Sequence, residues 1–128
     1  MRDIIPIYFS EAEQQDKIFY DPTIAAFANI KIGELSQGQR KYFETILVGN
    51  LNHPILMLDE PFSMLEPLQI ESLKEFLLQK KKEKGILITD HYYREVLDIS
   101  DKNMVLKDGI GHPISSSSEL VQFEYLRE

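Results

Sequence analysis

A short apolar run that ends in two acids constrains this chain more than any other stretch. Residues 55–58 are apolar without a polar break, and Asp59 and Glu60 follow directly. Such a run predicts a strand buried on both faces of a sheet, and Pro61 ends its ladder because proline has no N–H group. The acids are therefore expected at the carboxyl edge of the sheet, where open α/β folds bind ligands. Because neighbouring carboxylates repel each other, they predict a metal site, an activated water or both; the alternative is a solvated strand end and turn.

The composition excludes several classes of protein. The 128 residues contain no cysteine, which excludes disulfides and thiolate metal sites. Their net charge of −7 leaves no global basic surface for nucleic acid. We interpret the lysine-rich segment 80–84 as the charged end of a helix, with a nucleic-acid patch as the alternative. No apolar run reaches the ~18 residues of a membrane span, and no secretory signal is expected. A length of 128 residues, 43% of them hydrophobic, suits one soluble domain or a piece of a larger one.

Residues 1–34 predict short helices rather than strands. At the amino end, a helix capped by Asp3 is favoured over a strand. Ser10 and Glu13 have the spacing of a capping box, and a further helix is expected over residues 21–28.

The clearest helix start lies at Ser36. Ser36 and Gln39 have the S-x-x-Q spacing of a capping box, and residues 49–50 (Gly-Asn) supply a stop. The apolar face of this helix is formed by Tyr42, Phe43, Ile46 and Leu47. With a hydroxyl, backbone N–H groups and Gly38 at its start, the helix is a candidate anion site; the alternative is an ordinary helix N-cap.

A second apolar run ends close to a histidine. Residues 86–89 predict another buried strand with His91 two positions beyond it, and an amphipathic helix beginning at Pro67 connects the two strands. A strand, a crossover helix and a second strand form a βαβ unit with parallel strands. His91 is therefore expected at the sheet edge that also carries the acids of the first strand.

The last forty residues predict a hairpin and a helix. The pair at 108–109 (Asp-Gly) is a hairpin turn signal between strands expected at 104–107 and 110–114. Ser118 is expected to open a final helix that continues through residue 126.

The order and spacing of these motifs resemble the ATP-binding cassette (ABC) ATPases. Residues 35–39 (LSQGQ) are similar to the signature motif of that family, usually written LSGGQ. Residues 55–59 are similar to its Walker B strand, with Glu60 at the position of the catalytic glutamate, and residues 63–66 are similar to its D-loop. Three motifs in this order indicate a resemblance to that family more strongly than any one motif would alone.

Two positions depart from the family pattern. Gln37 stands where the first glycine of the signature pair is usual, and Glu66 stands where the D-loop usually has an aspartate. His91 resembles the switch histidine of the family, in the order Thr-Asp-His over residues 89–91 rather than the commoner Thr-His-Asp.

The phosphate-binding Walker A motif, G-x-x-x-x-G-K-[ST], does not occur in the 128 residues. The resemblance therefore implies the carboxy-terminal portion of a cassette that binds ATP poorly alone. It implies an α/β fold that is a partial P-loop NTPase, with parallel strands, crossover helices and a carboxy-terminal hairpin and helix. Residues 1–34 are expected to be a helical-subdomain remnant, and residues 35–128 the part with the signature, Walker B, D-loop and switch histidine.

The resemblance assigns three residues to the chemistry of ATP hydrolysis. Asp59 would hold Mg²⁺, through water. Glu60 would orient or deprotonate the attacking water, and His91 would contact the γ-phosphate.

It also assigns residues that act across a dimer of cassettes. Ser36, Gly38 and Gln39 would bind the γ-phosphate of the ATP held by the partner cassette, although the capping role explains Gln39 equally well. Ser63 and Glu66 would belong to the D-loop.

The implied partners are a second nucleotide-binding domain, in a homo- or heterodimer, and a transmembrane permease. The implied location is the cytoplasmic face of a membrane, with no nucleic acid bound. One alternative is a non-catalytic module that pairs with an intact cassette. The other is the carboxy-terminal lobe of a DNA-repair or chromosome-maintenance ATPase head, which the charge of −7 disfavours.

Overall fold

The chain starts with a series of helices, strands and helices are mixed beyond residue 54, and the strands form two separate sheets. The computed structural model describes residues 3–123 and 125, and the chain divides into two units, the first ending at Asp90 and the second beginning at His91. The helices of the first unit are α1 (Ile5–Tyr8), α2 (Ala12–Phe19), α3 (Pro22–Ala25), α4 (Gln37–Asn50) and α5 (Pro67–Lys80), with a 3₁₀ turn at Ile32–Glu34. Its strands are β1 (Ile55–Asp59) and β2 (Gly85–Thr89). The second unit contains α6 (Tyr93–Ile99), β3 (Asn103–Lys107), β4 (Ile110–Ile114) and α7 (Ser118–Gln122).

The βαβ unit is confirmed. Strands β1 and β2 are parallel, with Leu56 opposite Ile86 and Asp59 opposite Thr89, and helix α5 is the crossover. Pro67 occupies the first turn of α5, where its missing N–H group costs no helical hydrogen bond. The carboxyl ends of the two strands consequently lie side by side.

The prediction that β1 and β2 are buried on both faces is wrong. Leu56 is 3% exposed, but its strand neighbours Ile55 and Met57 are 63% and 70% exposed, and Leu87 on β2 is 54% exposed. Successive side chains of a strand point to opposite faces, and Leu56 lies on the face beside Gly49 of α4. Helices thus cover one face of this sheet, while the other face is apolar and open among the described residues.

Helix α4 forms as predicted. Ser36 is its N-cap, and the capping box with Gln39 is complete. The predicted apolar face is buried in full, at Tyr42, Phe43, Ile46 and Leu47. Glycine at position 49 allows close packing, because a β-carbon there would overlap the ring of Phe76 on α5.

The amino-terminal helices exist, but two of their predicted caps are wrong. Helix α1 begins after Ile4 rather than after Asp3, and neither residue caps it with a side chain. Helix α2 begins after Glu11 without a side-chain cap, so Ser10 and Glu13 form no capping box. Both helices are short, and they are held by burial of single residues such as Ile5 and Ile18 rather than by caps.

Asp21 connects the amino-terminal helices to α4. One carboxylate oxygen accepts the backbone N–H groups of Thr23 and Ile24 at 2.9 and 3.0 Å, which caps α3 at the start of the predicted helix. Helix α3 ends at Ala25, earlier than expected. The other oxygen accepts the hydroxyl of the fully buried Tyr42 at 3.0 Å. Burial, and then the charge of Asp21, raise the pKa of Tyr42 far above its usual value.

In the second unit the predicted hairpin is confirmed. Strands β3 and β4 are antiparallel, and Asp108 and Gly109 both have positive φ angles, of 50° and 76°, as a two-residue turn requires. A small core joins the hairpin to α7, through Val105, Ile114 and Leu120. The expected continuation of α7 to residue 126 falls partly outside the described residues; the helix itself ends at Gln122.

Within the described residues, no helix is both long enough and apolar enough to cross a membrane.

Candidate functional site

The two acids that follow β1 are fixed by the end of β2. Asp59 accepts the hydroxyl of Thr89 through Oδ1 at 2.5 Å, and the backbone N–H of Glu60 donates to the carbonyl of Thr89 at 2.6 Å. Both acids are exposed. The parallel pairing of the strands therefore places two carboxylates together at the carboxyl edge, as the sequence predicts.

Residues 59–64, which we call the acidic turn, have an unusual backbone. Glu60 and Met64 have φ angles of 50° and 67°, in the left-handed region that residues with a side chain rarely adopt. Such a conformation persists only when the surrounding structure holds it in place. One such restraint is the hydrogen bond from the backbone N–H of Phe62 to Oδ2 of Asp90, at 2.9 Å, and another is the complete burial of the Phe62 ring.

A lysine of α4 reaches the acidic turn. The Nζ atom of Lys41 donates to the carbonyl of Glu60 at 2.7 Å and also to the hydroxyl of Ser63. The Ser63 hydroxyl in turn donates to the carbonyl of Glu60 at 3.0 Å. Side chains from α4 and from the turn therefore converge on one carbonyl oxygen.

The start of α4 packs directly on the acidic turn. Gly38 is buried, and a β-carbon at this position would overlap the carbonyl oxygen of Met64. Any side chain there would separate the helix from the turn. The structure thus brings the predicted anion-binding helix start and the two predicted acids into one region of the first unit.

Ser36 and Gln39 are engaged in capping. The Ser36 hydroxyl accepts the backbone N–H of Gln39 at 3.1 Å, and the Gln39 side chain accepts the N–H of Ser36 at 3.0 Å. Gln37, which departs from the usual glycine, is exposed, so the helix accommodates its side chain without repacking.

Glu66 begins the next helix. It is the N-cap of α5, and its backbone N–H donates to Oε1 of the buried Gln69 at 3.0 Å, completing a second capping box. Glu66 and Ser63 therefore both have structural roles within the chain.

His91 is the first residue of the second unit, directly after Asp90 in the chain. It is exposed, and its ring lies 4.6 Å from that of Tyr92 between centroids. The grouping of His91 with Asp59 and Glu60 at one site remains a prediction.

Comparison with known proteins shows that the chain is similar to ATP-binding proteins of transport systems. It is 27% identical over 117 residues to the lipopolysaccharide export system ATP-binding protein LptB of Acidithiobacillus ferridurans, an alignment with 91% of this chain and 48% of LptB. It is 35% identical over 100 residues to the trimethylamine N-oxide transport system ATP-binding protein TmoW of Pelagibacter ubique, covering 74% of this chain and 29% of TmoW. No protein-family model matches the chain.

The fold of the chain is also found among solved structures. The chain superimposes on a solved ATP-binding subunit of an ABC transporter with a TM-score of 0.70 and 24% sequence identity, over 97% of this chain and 55% of that one. The chain is a homologue of ABC transporter ATP-binding proteins. The predicted α/β fold of a partial P-loop NTPase is confirmed, with one parallel and one antiparallel sheet.

The chain spans about half the length of the ABC relative LptB and a smaller part of TmoW. The matched part includes residues 35–66, which resemble the signature, Walker B and D-loop motifs of an ABC ATPase.

The acidic turn contains one carboxylate that could hold a magnesium ion. Among the described residues, no three histidine, aspartate or glutamate side chains form a cluster that could enclose a metal. Magnesium in phosphate-transfer sites usually takes only one or two carboxylates and completes its shell with water and substrate phosphates. The exposed carboxylate of Asp59, oriented by Thr89, meets that requirement.

Three residues of the site were missed by sequence reasoning. Thr89 orients Asp59, Asp90 holds the backbone of the acidic turn, and Lys41 links that turn to helix α4. The sequence predicted parallel strands, but the register that sets Thr89 opposite Asp59 is seen only in the structure. The sequence contained no signal for the reach of Lys41, which depends on how α4 packs on the acidic turn.

Proposed function

We propose that this chain forms the signature and Walker B portion of an ABC ATPase that couples ATP hydrolysis to transport across a membrane. The observation that carries the proposal is the packing of Gly38 on Met64, which sets the signature helix beside the acidic turn that bears Asp59 and Glu60. The homology to ABC transporter ATP-binding proteins supports it.

In this proposal each acid has a separate role. Glu60 accepts a proton from, or orients, the water that attacks the γ-phosphate, which is general-base catalysis. Asp59 holds Mg²⁺, which neutralises charge on the phosphates of ATP. His91 donates a hydrogen bond to the γ-phosphate.

The start of α4 acts on the ATP of a second cassette. Backbone N–H groups at a helix N-terminus and the helix dipole favour an anion, so Ser36, Gly38 and Gln39 are proposed to bind the γ-phosphate across the dimer. Ser63 and Glu66 are proposed to lie at that dimer contact as the D-loop.

The proposal requires a phosphate-binding loop from outside these 128 residues, since no G-x-x-x-x-G-K-[ST] motif occurs in them. It also requires a permease that carries the transported substrate and places the chain on the cytoplasmic face of a membrane. Positioning and charge stabilisation supply most of the catalysis, as in other phosphoryl transfers.

Reconstitution tests the proposal. Mixing the chain with a polypeptide that contains the amino-terminal, Walker A half of an ABC cassette is expected to produce ATP turnover. Glu60→Gln is expected to lower kcat at least about 100-fold, because a general base is lost. Glu71→Gln on α5 is the matched control, since Glu71 is exposed and pairs with Lys74 of the same helix, and it is expected to change kcat less than about twofold.

Absence of turnover in the mixture would contradict the proposal. If the chain instead altered the turnover of an intact cassette and Glu60→Gln had no effect, the chain would be a non-catalytic module that pairs with such a cassette.

A further inference from the structure

The contacts of Lys41 are not explained by its neighbours in the sequence. It lies on α4, two residues beyond the capping-box residue Gln39, and it is only half exposed. Its amine reaches across to the acidic turn and donates to two acceptors there, the carbonyl of Glu60 and the hydroxyl of Ser63. A solvated lysine would have no reason to converge on two groups of one turn.

We propose that Lys41 is a positioning residue that holds the Glu60 turn against the signature helix. It acts on the backbone carbonyl of Glu60. The inference rests on the proposed function for its effect on catalysis, but the positioning itself is independent of any activity.

The backbone of the turn explains why such a residue is needed. Glu60 and Met64 both have positive φ angles, which neither side chain favours. The hydrogen bonds within the turn are long, at 3.3 Å from the N–H of Ser63 to the carbonyl of Glu60 and 3.4 Å from the N–H of Leu65 to the carbonyl of Phe62. A charged donor forms shorter and stronger hydrogen bonds than a neutral one, so the 2.7 Å contact of Lys41 is the tightest restraint on the Glu60 carbonyl.

The same contact connects two parts of the proposed site. Lys41 and the phosphate-binding start of α4 belong to one rigid helix, and Lys41 fixes the carbonyl of the residue that activates water. A shift of the helix start on binding phosphate would therefore be transmitted to Glu60 through the lysine amine. Gly38, packed on Met64, allows the helix and turn to approach closely enough for this contact.

Hydrogen exchange of the 128-residue chain tests the positioning role without any nucleotide. In Lys41→Met the backbone amides of Ser63 and Leu65 are expected to exchange about tenfold faster than in the wild type, because a charge-assisted hydrogen bond that restrains the turn is lost. Lys41→Arg, which keeps a charged donor, is expected to stay within about threefold of the wild type. Lys74→Met is the matched control, since it removes an equally long cation from α5 and leaves the turn contacts in place.

Two results would overturn the inference. One is exchange at Ser63 and Leu65 that is unchanged in Lys41→Met. The other is an equal acceleration throughout the core of α4, for instance at Ile46, which would show general destabilisation rather than release of the turn.

Turnover in the reconstituted mixture measures the consequence for Glu60. Lys41→Met is expected to lower kcat about tenfold with little change in KM, because misplacing a general base affects the transition state more than substrate binding. Lys41→Arg is expected to recover most of that loss. If the wild-type mixture has no turnover, the proposed function fails, and the exchange result still decides whether Lys41 positions the turn. If Lys41→Met keeps full kcat although its turn exchanges faster, the catalytic part of the inference is wrong.

Discussion

Tyr42 is the residue whose ionisation most clearly affects the stability of the first unit. Its ring is fully buried, and its hydroxyl donates to Asp21 at 3.0 Å, which ties α4 to the cap of α3. Ionising this phenol in the folded chain would place a buried negative charge beside a carboxylate. Burial is the first cause of its raised pKa, and the charge of Asp21 is the second.

The direction of that shift gives a pH dependence. The unfolded chain loses the phenol proton near pH 10, whereas the folded chain retains it, so the unfolded state binds fewer protons above pH 10. The stabilisation due to Tyr42 is thus complete below pH 10 and is lost as the pH rises beyond it.

Comparing the wild type with Tyr42→Phe isolates this effect from the other tyrosines. At pH 7 the variant is expected to be less stable by about 1.5–3 kcal/mol, since a hydrogen bond to a charged group is lost. The difference is expected to shrink between pH 10 and pH 11 in urea unfolding curves followed by circular dichroism. A difference that stays constant over this range would show that the phenol is not protected in the folded chain.

At the scale of elements, the contact between α4 and the acidic turn depends on glycine, which has no side chain, at position 38. A glycine near a helix start has two explanations, close approach of a ligand and close approach of the protein itself. The structure supports the second at Gly38, because the volume of a β-carbon there is filled by the carbonyl of Met64.

Gly38→Ala distinguishes these explanations by the sign of the stability change. Alanine is the better helix former by about 1 kcal/mol, so an uncrowded position would be stabilised. We expect instead a loss of about 1–3 kcal/mol in the free energy of unfolding, because the extra methyl forces α4 away from the turn. Gly33→Ala is the control, since nothing lies within 4 Å of its added carbon, and it is expected to be near neutral. A Gly38→Ala variant as stable as the wild type would refute the crowding argument.

Elements with local signals were predictable from sequence, and those that depend on neighbours were not. Helix α4 begins at Ser36 because its capping box needs only residues three apart, and the turn at 108–109 forms because glycine tolerates a positive φ. The apolar run of β1 correctly indicated a strand, but its burial depends on what covers each face, and only the face of Leu56 is covered in the described residues. Ser10 failed as a cap because α2 begins only after Glu11, one residue later than the spacing of Ser10 and Glu13 requires.

The candidate site was likewise predictable only where its residues follow from local sequence patterns. Parallel strands placed Asp59 and Glu60 at a sheet edge, and the capping box placed the start of α4. The contacts of Lys41 and Asp90 join elements distant in sequence, so no local pattern could indicate them.

At the scale of the whole molecule, the open sheet face is the feature with the largest physical consequence. Ile55, Met57 and Leu87 expose apolar side chains on one face of a sheet that has only two strands, both with an unpaired edge in the described residues. Exposed apolar faces and open strand edges favour association with another chain. The net charge of −7 opposes association at low ionic strength, and salt screens that repulsion.

We therefore expect the chain to self-associate with increasing concentration. Light scattering should give an apparent mass above the 14.9 kDa of the monomer, rising further in sulfate, which strengthens burial of apolar surface. Met57→Glu should lower the apparent mass, because it places a charge at the centre of the open face, opposite Leu87. Leu68→Glu is the matched control, since Leu68 is equally exposed but lies on α5, and it should leave association unchanged. A monodisperse monomer in all these conditions would show that the open face is too small to bind a second chain. Association would then have to come from a partner that contributes further strands to the sheet.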